Sequence, residues 1–319
     1  MVGYTPHESV RLSDVEYAAA GAISGSVTRC ICQPLDVLKI RFQLQVEPIA
    51  KAANSKYSGV IQAAGTIIKE EGWRALWKGH VPAQVLSVVY GMVQYSSFEI
   101  LTDVVWRLGP VELTTTEWRP VTHTLCGGVS GSVATCFIHP IDVLRTRFVA
   151  QGEPKIYTSL TDACRKIATQ EGYSGFYKGL SASIVQIAPQ MGMQFGFYSL
   201  FTGLWNESRG TWFDSVPGNL ESLVCGTAAG VASKTVIYPL DMIKKRLQVQ
   251  GFESARRKFG AVKHYSGLVS SLAKVAREEG VRGLYKGLTP GLLKAGAVAG
   301  LNFSVYEHVC HVFSALRES

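Results

Sequence analysis

Acid–base pairs set inside apolar stretches are where this sequence concentrates its chemistry. Three strings share one pattern: Pro34-Leu-Asp36-Val-Leu-Lys39-Ile-Arg41, Pro140-Ile-Asp142-Val-Leu-Arg145-Thr-Arg147 and Pro239-Leu-Asp241-Met-Ile-Lys244-Lys-Arg246. Each places an Asp and a Lys or Arg three residues apart, on one face of a helix. Within a single helix such a pair adds about 0.2–0.5 kcal/mol. A charge inside a membrane-spanning helix costs about 2.5–3.5 kcal/mol, so intrahelical pairing is weak recompense. Threefold repetition favours another arrangement, in which the acid of one segment meets the base of the next and closes a ring. A second shared string follows each first one: Glu71-Gly72 through Trp77-Lys78-Gly79, Glu171-Gly172 through Tyr177-Lys178-Gly179, and Glu279-Gly280 through Tyr285-Lys286-Gly287. No P-loop, nucleophile elbow, zinc-ligand spacing or paired-carboxylate site accompanies them, so neither an enzyme nor a metal site is expected. The seven cysteines form no CxxC pair and read as small buried hydrophobes.

The elements around these strings repeat as well. An apolar segment carrying paired glycines (Gly21 and Gly25; Gly127 and Gly131; Gly226 and Gly230) runs into each Pro-x-Asp string. Such spacing lets helices approach closely in lipid. A polar loop follows, then an amphipathic stretch (57–69, 158–169 and 266–277), then a second apolar segment after Gly79, Gly179 or Gly287. The expected fold is an all-α membrane protein: six transmembrane helices in three pseudo-threefold repeats (1–115, 116–213, 214–319), with short amphipathic helices at one end and both termini on one side. Composition agrees, with 47% hydrophobic and 18% charged residues and a mean hydropathy of +0.13. A soluble protein carries about 25% charged residues. The net charge of +8 points to anionic lipid or an anionic solute. Basic patches interleaved with aromatics are missing, so nucleic acid is not an expected partner. Glu8, Asp14 and Glu16 interrupt any acid-free presequence, and an organellar address would be internal.

The doubled string in triplicate resembles the signature of the mitochondrial carrier family, and the resemblance covers essentially the whole chain. It implies a bundle around a central water-filled cavity in the mitochondrial inner membrane, with both termini toward the intermembrane space, alternating access and a monomer that binds cardiolipin. It also implies a matrix-side gate of Asp36–Arg145, Asp142–Lys244 and Asp241–Lys39, with Gln43 and Gln248 as braces; Val149 stands at the third brace position. On the cytoplasmic side the aromatic-acid-x-x-base strings of the family have lost their bases. Phe98-Glu99-x-x-Thr102, Tyr198-Ser199-x-x-Thr202 and Tyr306-Glu307-x-x-Cys310 leave only the plug aromatics Phe98, Tyr198 and Tyr306.

Stepping back seven and three residues from each gate Asp gives the residues expected to face the cavity: Arg29 and Gln33, Thr135 and His139, Lys234 and Tyr238. On the second helices, counting from Gly79, Gly179 and Gly287, the corresponding sets are Leu86, Gln186 and Lys294, then Tyr90, Gln190 and Val298, then Gln94, Gln194 and Asn302. The first set matches the family's substrate contact points. Arg29, Lys234 and Lys294 suit a phosphorylated solute, whose oxygens accept charge-assisted bonds. Amides and rings suit a nitrogen heterocycle. His139 reads as a satisfied polar group beside the gate. Further strings (1–4, 78–84, 139–148, 150–155, 244–249 and 251–253) are similar to the branch of the family that carries thiamine pyrophosphate. That resemblance implies thiamine pyrophosphate as the transported substrate, in exchange for nucleotides. The alternatives are another phosphorylated cofactor or adenine nucleotide and, more remotely, a carrier-fold adaptor that does not transport.

Overall fold

Proline inside a long helix, glycine before the next one and a short amphipathic helix between them give each third of the chain the same outline. The computed structural model describes residues 12–49, 55–108, 119–208, 218–252 and 263–318. The string at 1–4 and residue 253 of the last string lie outside these. Among the described residues every regular element is helical. The long helices come in pairs: α1 (Asp14–Leu44) with α3 (His80–Leu108), α4 (Arg119–Ala150) with α6 (Leu180–Ser208), and α7 (Gly218–Gln248) with α10 (Leu288–Glu318). Between the partners lie α2 (Val60–Glu71), α5 (Leu160–Gln170) and α8 (Leu268–Glu278), each followed by a short turn of helix, the last being α9 (Gly280–Leu284). Ser13 caps α1 through a capping box with Glu16, satisfying donors that open the helix.

Pro34, Pro140 and Pro239 sit inside the first helices, where the missing N–H and the ring bend the axis. Each second helix packs along the first helix of the next repeat: α3 on α4, α6 on α7, and α10 back on α1, closing the bundle. Gly79, Gly179 and Gly287 make that closure possible. All three adopt positive φ (76°, 81° and 86°) at the start of a second helix. A Cβ at Gly79, Gly179 or Gly287 would lie 3.1, 3.2 or 2.7 Å from the carbonyl oxygen of Arg145, Lys244 or Lys39. Only glycine meets both demands.

Three buried apolar clusters lie at this same end, each joining the C-terminal half of a first helix to the short helix of its own repeat. One contains Val37, Phe42, Tyr57 and Ile67; the others centre on Tyr157 with Ile167 and on Met242 with Val275. The opposite halves are bare: Ile23, Val27 and Ile31 on α1, and Leu125, Val129, Val133 and Phe137 on α4, form exposed apolar seams at four-residue spacing. The expectation that the glycine pairs mark close helix contact is met in part: a Cβ at Gly131 would lie 3.7 Å from Ile187 and 3.8 Å from Tyr90, and one at Gly226 4.0 Å from Tyr198. A Cβ at Gly21, Gly25, Gly127 or Gly230 would touch nothing within 4 Å. Gly21 and Gly25 are exposed, and α1 borders open space there rather than a neighbour.

Candidate functional site

Where the kinked first helices converge, their acids and bases meet across the bundle. Arg145 of α4 donates to Asp36 of α1 at 2.7 Å, Lys244 of α7 approaches Asp142 of α4 at 3.0 Å, and Lys39 of α1 approaches Asp241 of α7 at 2.6 Å. Amides support two of these pairs: Gln248 donates to Asp142 at 2.8 Å and Gln43 to Asp241 at 3.1 Å. Val149 offers Asp36 no such donor, being apolar and buried. Lys39 also lies 5.7 Å from the centre of the Tyr238 ring, within cation–π range.

Two further bases enter the ring. Lys245, fully buried, reaches Asp142 at 2.9 Å and also bonds Thr146 and Gln248. Lys294 of α10 donates to both oxygens of Asp36, at 2.6 and 2.7 Å. Three carboxylates thus face five cationic side chains.

A second threefold set lies just beyond, at the helix ends. Arg41 makes a bidentate pair with Glu71, Arg147 with Glu171 and Arg246 with Glu279. Lys78, Lys178 and Lys286 reach the same three carboxylates at 2.6, 2.5 and 2.5 Å. Each Arg also donates to carbonyls ending the next first helix: Arg41 to Val149 and Gln151, Arg147 to Gln248 and Gln250, Arg246 to Gln43 and Gln45. The planar guanidinium holds both oxygens of the carboxylate and two carbonyls together. Each lysine ammonium bonds one carboxylate oxygen and a carbonyl of the same helix end. Burial pushes the Glu71 and Glu171 carboxyls up, but their Arg and Lys partners outweigh it and hold both below the usual carboxylate range.

A family model described as mitochondrial carrier protein matches residues 11–108, 117–209 and 215–316. The chain belongs to the mitochondrial carrier family. It is 48% identical over 321 residues to the mitochondrial thiamine pyrophosphate carrier of Bos taurus, and 46% identical over 325 residues to that of Homo sapiens; each alignment covers 100% of this chain and 99% of the relative. The mitochondrial thiamine pyrophosphate carrier 1 of Coccidioides immitis is 37% identical over 311 residues, covering 95% of this chain and 94% of its own length.

Above the ring of this carrier a cavity of about 270 Å³ is lined by Tyr90, Gln186, Gln190, Thr135, His139 and Lys244, together with Leu86, Asp142 and Asp241. The three bases expected there do not line it. Arg29 donates to the Ala83 carbonyl at 3.0 Å, Lys294 is held by Asp36, and half-buried Lys234 has no hydrogen bond among the described residues. The three amides expected at one level do not line this cavity either. Gln94 lies with Phe98 in a separate depression between α3 and α4, Gln194 is exposed, and Asn302 accepts a bond from Ser24 at 2.9 Å.

Gln33 and Tyr238 correct the three-residue step, whereas His139 both lines the cavity and meets its own second helix. Gln33 and Tyr238 donate to the carbonyls of Lys78 and Lys286, at 3.1 and 2.9 Å, and a His139 ring nitrogen lies 3.0 Å from that of Lys178. At 100° per residue, position i−3 stands about 60° around the helix from the Asp, whereas i−7 stands about 20° away. The i−3 side chains therefore turn toward the start of the second helix in their own repeat. Of the aromatic trio opposite the ring, Phe98 stacks on His123 with centroids 5.9 Å apart, and no ring contact joins Phe98, Tyr198 and Tyr306 among the described residues. Sequence reasoning missed Lys245, the ring role of Lys294, and the Arg–Glu–Lys set. The last was signalled by the terminal Arg of each first string and the Glu and Lys of each second string.

Proposed function

We propose that this carrier moves thiamine pyrophosphate into the mitochondrial matrix across the inner membrane by alternating access, in exchange for a nucleotide. The excess of five ring bases over three carboxylates, with Arg29 and Lys234 nearby, is the observation that carries the reading. An anion with two phosphates neutralises such a surplus, while the amides Gln186 and Gln190 and the ring of Tyr90 offer hydrogen bonds and a face to the aminopyrimidine and thiazolium. The names of relatives that match this chain from end to end support the same solute.

In this reading the chain is three repeats (1–115, 116–213, 214–319) of two spans each, in a monomer that binds cardiolipin. Two helical stretches, Val121–Ala150 and Glu221–Gln248, are apolar enough to span by composition alone. The exposed seams of α1 and α4 support lipid contact for the rest of the bundle. The ring forms the matrix gate, closed here, with Gln43 and Gln248 as its braces. Phe98, Tyr198 and Tyr306 form the plug of the cytoplasmic side, apart from one another while that side is open. Arg29, Lys234, Lys294, Thr135, His139, Tyr90, Gln94, Gln186, Gln190, Gln194 and Asn302 contact the solute during the cycle.

Purified protein in liposomes, loaded with nucleotide and offered labelled thiamine pyrophosphate, ADP, thiamine monophosphate or thiamine, tests the assignment. Thiamine pyrophosphate should be taken up best and compete with the others; preference for ADP would replace it with an adenine nucleotide, and no exchange of any solute would favour an adaptor. Lys234→Ala removes one charge-assisted contact and should raise KM for thiamine pyrophosphate about tenfold or more.

A further inference from the structure

On the side opposite the ring, the three plug aromatics are not held alike. Phe98 of α3 stacks on His123 of α4, with centroids 5.9 Å apart and planes at 27°. Trp106, just over two turns further along α3, reaches the same imidazole at 5.3 Å. His123 makes no hydrogen bond among the described residues, so its ring meets α3 by its faces. Tyr198 and Tyr306 have no ring contact among the described residues, and Tyr198 merely comes within 4.0 Å of where a Cβ on Gly226 would stand.

The difference is visible in the sequence. At the same distance before each gate acid, Tyr17 and Ser222 stand where α4 has His123. At the same distance after Gly179 and Gly287, Asn206 and Ser314 stand where α3 has Trp106. Packing alone does not fix the Phe98 ring. It borders a depression of about 410 Å³ shared with Gly91, Gln94, Tyr95, Gly127 and Ser130, and a Cβ at Gly91 or Gly127 would touch nothing within 4 Å. Thr102, Thr202 and Cys310 supply no base for an ion pair on this side, so ring contact is what a closed plug has to work with. A Phe98 ring stacked on the neighbouring helix is withdrawn from Tyr198 and Tyr306, and the stack therefore competes with the plug.

We propose that His123 is a perch for the plug: it stacks Phe98 against α4 while the cytoplasmic side is open, and that side closes only when the stack is given up. His123 is thus a positioning residue, acting on the solute path through Phe98. The perch rests on the plug reading above. An aromatic pair of this geometry biases an equilibrium about two- to tenfold, and the bias favours the cytoplasm-open form because that form alone contains the pair.

Leu86→Cys, on the cavity wall, reports which side is open. A membrane-impermeant thiol reagent is applied to mitoplasts, from the cytoplasmic side, and to inverted inner-membrane vesicles, from the matrix side, and modification at position 86 is read by mass. The ratio of the two rates follows the balance between the two forms of the empty carrier. His123→Ala should shift that ratio about two- to tenfold toward the matrix-open form. His123→Phe, which keeps a face for Phe98, should hold the wild-type ratio. In a Phe98→Ala background His123→Ala should change nothing. A silent His123→Ala would overturn the perch. So would an equal shift with and without Phe98, which would make His123 a packing residue of α4. Adding Phe98→Ala to His123→Ala isolates the plug itself, and the ratio should move back toward the cytoplasm-open form. No return sinks the plug reading and the perch with it, whereas a return alongside a silent His123→Ala sinks the perch alone. His123→Leu, which fills the same space without a stacking face, takes the place of His123→Ala in every comparison if that variant does not fold.

Discussion

Lys245 shows how far one side chain can depart from threefold symmetry. Its equivalents are Ile40 and Thr146, and it alone carries a charge into the ring, where it is buried and bonded to Asp142, Thr146 and Gln248. Its removal leaves Asp142 still paired with Lys244 and Gln248, so the loss is that of a charged hydrogen-bonded group rather than of a whole pair. Lys245→Met should therefore destabilise the protein by about 1.5–3 kcal/mol. A melting scan in detergent should show the drop, and exchange should run faster because the gate has lost a bond that must break. A slower variant with the expected drop in melting temperature would assign Lys245 to folding alone. The glycines give a sharper contrast. Gly72 and Gly287 both have positive φ (81° and 86°), but a Cβ at Gly72 meets nothing, whereas one at Gly287 would lie 2.7 Å from the Lys39 carbonyl. Gly72→Ala should cost about 1–3 kcal/mol of backbone strain, since its φ of 81° with ψ of 163° lies in a region essentially confined to glycine. Gly287→Ala adds a clash with backbone and should cost well above that, as read from melting temperature and from yield of folded protein.

At the scale of elements, the short helices are tied to the bundle by the Arg–Glu–Lys sets, so their cohesion depends on protonation. The Glu71 and Glu171 carboxyls titrate below their ordinary value when folded. The folded state thus binds fewer protons than the unfolded one in the acid range. Their stabilisation is complete above the unfolded carboxylate value, about pH 4.5, and is lost as pH falls through the lower folded value. Melting temperature should show an acid limb beginning near pH 4.5. Glu71→Gln with Glu171→Gln should melt lower at neutral pH but with a shallower limb, and an unchanged limb would assign the acid loss to other carboxylates. Arg147→Lys should weaken the same joint, because an ammonium cannot hold Glu171 bidentately and also reach the Gln248 and Gln250 carbonyls.

For the whole molecule, periodicity in the sequence carried the repeated outline, since the recurring Pro, Asp, Gly and Lys each meet a backbone or charge demand that recurs at every corner of the bundle. What it did not carry is contact that crosses between repeats at unlike positions. Lys294 on Asp36 and Lys245 on Asp142 break the symmetry from which the expected pairs were drawn, and rotation about a helix turns Gln33 and Tyr238 onto their own second helices while His139 touches both its second helix and the cavity. These unlike contacts also predict which part of the ring tolerates inversion. Exchanging acid and base at Lys39 and Asp241 leaves a pair whose hydrogen-bonded neighbour is Gln43, an amide able to turn its oxygen toward the new ammonium. The same exchange at Asp36 and Arg145 would set an arginine against Lys294, and at Asp142 and Lys244 a lysine against Lys245. Like charges in contact inside a bundle cost several kcal/mol, on the order of a broken buried pair. Of the three double swaps, Lys39→Asp with Asp241→Lys should retain the most folded protein and exchange, while Asp36→Arg with Arg145→Asp recovers only when Lys294→Glu is added. Equal tolerance of all three swaps, measured by thermal melting and liposome exchange, would mean that Lys245 and Lys294 are bystanders to the ring.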